Sequence, residues 1–142
     1  MKFYVTLSKK HLAVILAVII IALLVVGQLV TVGNNAKMGA TNALRVEYIK
    51  SLDLEPDDSN VSSKVIVIPE KFSKVYKEYN QLQKKAGFDL NRYKGKSATV
   101  YTYPLSGIEN LLHLIVCDGR IIGGDIAETK IDGEMKPLVA LK

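Results

Sequence analysis

His113 and Cys117 are the side chains best suited to act as base and nucleophile. His113 is the one histidine beyond residue 33, and Cys117 is the one cysteine in the chain. Both fall on an apolar run over residues 111–117 that reads as a strand. At about 3.3 Å per residue, four residues put their backbones roughly 13 Å apart on one face, beyond hydrogen-bond reach. A Cys–His dyad is not expected, and Cys117 reads as a small buried hydrophobe with no intrachain disulfide. Structural zinc needs about four ligands that these two residues cannot supply, so no metal is expected. A Ser-His-Asp arrangement through His113 is formally open, but the Gly-x-Ser-x-Gly elbow is absent. Facing carboxylates, as in glycoside hydrolysis, could come from Asp89, Asp118, Asp125 and Asp132. The last three adjoin glycines, and turn or bulge chemistry accounts for them. The acidic stretch over residues 55–60 lacks the ligand spacing of a calcium loop. The chain is therefore read as a non-enzyme without cofactors. The alternative is a minor envelope hydrolase in which His113 works with a serine or an aspartate.

Binding has a better candidate. Lys84, Lys85, Arg92, Lys94 and Lys96 form a basic cluster interleaved with Phe88 and Tyr93. Lys84 and Lys85 end a helix, where cations also interact favourably with the helix dipole. Arg92, Lys94 and Lys96 have no such motive, and with Tyr93 they form the predicted binding residues. The surface would suit an anionic envelope polymer such as teichoic acid, lipid headgroups, or a protein partner. The competing reading is a solvated rim whose aromatics belong to the core. Nucleic acid is not an expected partner. The net charge is +5, but three lysines precede the long apolar run, which leaves +2 on residues 34–142 and no clustered basic footprint of the kind such proteins carry.

The elements that must position these residues follow from period and punctuation. Phe72, Val75, Tyr76, Tyr79, Leu82 and Ala86 recur at spacings of three and four, which predicts a helix with one apolar face, started by Pro69 and stopped by Gly87. Before it, Thr41 can cap a shorter helix with Leu44, Tyr48 and Leu52 in one row and Ile49 beside them. The β-branched run over residues 64–68 reads as a strand. Residues 97–105 alternate, and residues 111–116, apolar on both faces except at His113, read as a central strand covered on one side by helix. Asp118-Gly119 is a two-residue hairpin turn, and Asp132-Gly133 marks another. Gly123-Gly124 inside the next strand signals a bulge or the close approach of another group.

Several of these segments carry a resemblance. Tyr79-Asn80-Gln81-Leu82-Gln83-Lys84, Gly87-Phe88-Asp89-Leu90 and Tyr93-Lys94-Gly95-Lys96 are similar to a bacterial family catalogued as domain of unknown function 4830. The likeness extends upstream to Arg45-Val46-Glu47-Tyr48-Ile49-Lys50-Ser51. Downstream it takes in Tyr101-Thr102-Tyr103, Asp118-Gly119 and Ile122-Gly123-Gly124-Asp125, so that it covers about residues 40 to 138. Asp53-Leu54-Glu55 departs from it, standing where the family pattern favours Gly-Trp-Glu. The resemblance implies a membrane-anchored extracytoplasmic domain and no known activity.

Residues 12–26 are uninterrupted hydrocarbon, and the apolar character runs on to about Gly33. Some 22 helical residues at 1.5 Å each cover the roughly 30 Å core of a bilayer. Lys2, Lys9 and Lys10 precede the span, which places the N-terminus in the cytoplasm and the rest outside. A cleaved signal peptide is the alternative. The expected organisation is a cytoplasmic tail over 1–11, a single-pass transmembrane anchor over 12–33 and a linker over 34–40. An extracytoplasmic domain over 41–142 follows. The fold class is α+β, with two helices and an antiparallel β-meander.

Overall fold

The computed structural model describes residues 37–139, together with Ala17, Val18, Ile20 and Ile21, which are helical and exposed and belong to a separate N-terminal unit. The expected tail, most of the expected anchor and residues 34–36 lie outside the described residues. Among those described, no helix is long and apolar enough to cross a membrane.

From Lys37 onward the element order is α1 (Asn42–Lys50), β1 (Ser62–Val67), α2 (Lys74–Lys85), a 3-10 turn (Leu90–Tyr93), β2 (Ser97–Pro104), β3 (Asn110–Cys117), β4 (Arg120–Glu128) and β5 (Met135–Pro137). The five strands form one antiparallel sheet in chain order, with β3 in the middle and β1 and β5 at the edges. The α+β meander is as expected, with α2 inserted between the first two strands.

Both faces of the sheet are covered, which corrects the expectation of helix on one side. Ile49 of α1 joins Tyr103, Leu112, Leu114, Val116 and Ile126 in one core cluster. On the other face Leu90, Tyr76 and Tyr79 pack with Ala98, Ile115, Cys117 and Ile122. A strand with helix on both faces must be apolar on both, and this accounts for the pattern of β3.

The helices keep their expected places, and most of the residues read from the spacing pack on the core, but buried polar side chains join them and Val75 does not. Thr41 caps α1 as expected, its hydroxyl accepting from the Leu44 N–H at 3.3 Å. The fully buried side chains are Arg45 and Ile49, one position past the Leu44–Tyr48 row. Arg45 is buried with two of its guanidinium nitrogens hydrogen-bonded and its plane on an aromatic ring. Its Nε donates to the Tyr103 hydroxyl at 2.8 Å, its Nη1 donates to the Gly39 carbonyl at 2.8 Å, and its guanidinium lies 3.6 Å from the Tyr101 ring centre.

Helix α2 begins at Lys74, not Pro69. The Ser73 hydroxyl accepts from the Tyr76 N–H and supplies the cap, while Pro69 closes β1. The stop at Gly87 is as expected. Gly87 takes φ +81°, its N–H reaches the Lys84 carbonyl, and the Phe88 N–H reaches the Gln83 carbonyl, both at 3.0 Å. This is the paired closure of a Schellman end, and it folds buried Phe88 back under the helix. Val75, read as part of the apolar face, is 75% exposed, whereas Asn80 and Gln83 are buried.

Residues 37–39 of the expected linker belong to the domain. Met38 bridges Arg120, flanked by hydrogen bonds from Gly39 N–H to the Gly119 carbonyl and from Ile121 N–H to the Lys37 carbonyl. The Lys37 ammonium sits 3.8 Å from the Phe88 ring centre, and burial lowers its pKa.

The hairpin signals hold. Asp118 and Gly119 take φ +50° and +73°, and Asp132 takes φ +63°. The β3–β4 ladder shifts register at Ile115/Val116, pairing Ile115 with Gly123 and Val116 with Ile121, so Ile122 is the extra residue of a bulge.

Candidate functional site

The predicted binding residues have different surroundings. Arg92 is exposed at the end of the 3-10 turn. Tyr93 is half-buried in the core on the α2 side of the sheet. Lys96 is tied at 3.2 Å to Asp118 of the β3–β4 turn, and that carboxylate raises its pKa. Lys94 lies 4.7 Å from the Phe72 ring centre. The reading that Lys94 and Lys96 have no structural motive is therefore corrected, since each has a fixed partner.

What the fold brings together instead is a cleft of about 240 Å³ lined by Phe72, Lys77, Asn80, Gln81, Lys84, Asn91 and Lys94. Helix α2 supplies Lys77, Asn80, Gln81 and Lys84, which stand at i, i+3, i+4 and i+7 and so share one helix face. This polar row was visible in the sequence beside the apolar one. The opposite wall is the connector after Gly87, held in place by Asp89 and Asn80. The Asp89 carboxylate accepts from the Asn80 amide at 2.9 Å and from the Asn91 N–H at 3.0 Å, while the Asn80 carbonyl accepts the Leu90 N–H at 2.8 Å. Those donors, the Asn80 amide first, bring the Asp89 carboxyl down to about 2. Three lysines, three side-chain amides and one aromatic ring thus line the cleft, with the Asn80 and Asn91 amides already donating to Asp89 and the Lys94 ammonium by the Phe72 ring.

A second polar cluster lies under α2. His113 of β3 stands opposite Asp125 of β4, and its Nδ1 is 2.8 Å from Asp125 Oδ2. The Tyr79 hydroxyl donates to the other carboxylate oxygen at 2.7 Å. Burial, and next the Asp125 charge, pushes the Tyr79 hydroxyl far above its ordinary pKa. Beside them Gln83, wholly buried, accepts the Gly124 N–H at 2.7 Å, while its own Nε2 meets no partner among the described residues. The reading of Asp125 as a bulge residue is corrected: its side chain is 4% exposed and joins two strands and a helix. Asp118 and Asp132 are turn residues, as expected.

Cys117 is buried and free as anticipated, and burial raises its thiol pKa. No group of three or more potential metal ligands occurs among the described residues.

A family described as a domain of unknown function (DUF4830) matches residues 54–126, just over half of the chain. The chain belongs to this family. The matched span holds every lining residue of the cleft and all of the His113–Asp125–Tyr79 cluster. No curated protein and no solved structure matches the chain. Just ahead of the matched span Asp53 takes φ +58°, the left-handed region that glycine favours, and Leu54, the first residue of that span, is buried at 4% exposure.

Proposed function

We propose that this DUF4830 domain is a non-catalytic recognition module of the bacterial cell envelope that binds an anionic polymer or lipid headgroup in the Lys77–Lys84–Lys94 cleft. The observation that carries this reading is that three lysines and no carboxylate line one concavity, with Asp89 near enough to Lys84 to interact with its charge. The Gln81 amide suits hydroxyl and phosphoryl oxygens, and lysine serves as a point charge for such anions. The hydrolase alternative gains a carboxylate partner for His113 in Asp125. No hydroxyl hydrogen-bonds to the ring among the described residues, and the cleft does not include it.

Reversing Lys77, Lys84 and Lys94 to glutamate should reduce retention on teichoic acid or acidic liposomes at least tenfold, with thermal stability nearly unchanged. A control carrying Lys64→Glu and Lys130→Glu, both outside the cleft, should bind like the wild type. Binding should also weaken with salt, because exposed charges are screened over about 10 Å at 0.1 M. The two matrices separate polymer from lipid. Absent wild-type retention on both at low salt, or retention that survives the triple reversal, would remove the reading.

The apolar stretch over residues 12–33, preceded by Lys2, Lys9 and Lys10, supports a single-pass anchor with residues 34–142 outside the cytoplasm. Ser59 is exposed in the loop before β1, so a cysteine there in a Cys117→Ala background should react with an impermeant thiol reagent on intact cells. Labelling that appears only after lysis would reverse the topology.

A further inference from the structure

Strand β1 is an edge of the sheet without the usual protection. Five of its six residues are exposed, with Val65 at 68% and Val67 at 64%. Lys64 is its only charge, and the strand itself holds no proline, the nearest being Pro56 before it and Pro69 after it. Exposed flat edges of this kind pair with other strands unless charge, proline or a bulge prevents it.

The ladder geometry says which groups are free. The Ile68 N–H donates inward to the Lys96 carbonyl at 2.9 Å, and the Ile68 carbonyl accepts from the Gly95 N–H at 2.8 Å. Backbone groups alternate along an antiparallel strand, so Ile66 and Lys64 also face β2, and Val67, Val65 and Ser63 turn their N–H and C=O outward.

We propose that β1 pairs antiparallel with β1 of a second copy of this chain, about a twofold axis at Val65. In that register Val65 faces Val65 of the second copy, and Ser63 faces Val67 in both directions. Every outward donor and acceptor of the strand is then used, in roughly six backbone hydrogen bonds. The Val65 and Val67 side chains, which project from the same face, gather into one apolar patch across the axis. Lys64 falls opposite Ile66, so no like charges oppose one another. A copy is favoured over an unrelated peptide because this six-residue edge complements itself in hydrogen bonding, apolar pattern and charge at once. Two such edges bury less than the about 1,000 Å² of a stable interface, so the pairing depends on a high local concentration.

Single cysteines at Ser63, Val65 and Val67, in the full-length Cys117→Ala chain in cells, test the register with a short bis-thiol cross-linker. Opposed residues lie about 5.5 Å apart in such a pair. Val65→Cys should give at least five times more covalent dimer than Ser63→Cys or Val67→Cys alone. Co-expressed Ser63→Cys and Val67→Cys chains should cross-link to each other. Adding Val65→Lys, which sets two ammonium groups face to face, should abolish that cross-link. Equal yields at the three single positions would mean random collision, and no dimer at Val65 would mean that β1 is covered by something else. Either result overturns the proposal.

Discussion

Replacing Gly124 by valine should destabilise the domain by about 3 kcal/mol, the upper part of the range for overpacking a closed core. A Cβ at this position would collide with the backbone carbonyl oxygen of His113 and come within 2.7 Å of Leu138 Cδ2. The carbonyl belongs to the central strand and cannot yield without breaking the ladder. Gly107→Ala makes the matching control. Gly107 takes φ +79° but a Cβ there meets nothing within 4 Å, so its cost should stay near the about 1 kcal/mol of the conformational penalty alone. Thermal melts of the two variants separate steric from backbone strain. A Gly124→Val melting temperature equal to that of the wild type would mean the strand relaxes freely, contrary to the packing seen.

Asp125→Ala should cost about 2–3 kcal/mol, or roughly 10–20 °C in melting temperature for a domain of this size. The substitution leaves the His113 ring nitrogen and the Tyr79 hydroxyl without their shared acceptor beneath α2. The large cost comes from stranding those partners, not from the worth of the ion pair itself. Asp125→Asn, which keeps one acceptor oxygen, should lose about half as much. Equal losses for both variants would show that charge, not hydrogen bonding, holds the cluster together. If binding to anionic matrices persists in Asp125→Asn, the buried cluster is scaffold and the cleft is independent of it.

The parts of this fold that could be read from the sequence are those set by local rules. The Thr41 cap, the Gly87 stop, the Asp118-Gly119 hairpin and the Gly123-Gly124 crowding each follow from backbone conformation or the absence of a Cβ. What escaped were polar residues satisfied by distant partners. Arg45 counts as a surface residue until Tyr103 and the Gly39 carbonyl are in place. Gln83 and Asn80 break the apolar pattern of α2, yet they are its most buried side chains: Leu90 and Asp89 engage both ends of the Asn80 amide, and the Gly124 N–H engages the Gln83 carbonyl oxygen. Pro69 drew the helix start too early because a proline at a strand end and one at a first helical turn look alike in sequence. Of the basic cluster, Lys84 and Lys94 line the cleft, joined there by Lys77. Lys77 and Lys84 share a helix face with Asn80 and Gln81, whereas Lys96 is spent on Asp118.

The way the chain enters the domain bears on how tension would pass through it. A pull at Lys37 meets two routes at once: the backbone bridge from Met38 to Arg120 at the start of β4, and the Gly39 carbonyl, gripped by Arg45, which in turn holds Tyr103 on β2. The load is divided between strands on either side of the central β3 before it reaches the end of α1. Arg45 therefore ties the entry of the chain at Gly39 to Tyr103 on β2 as well as filling the core.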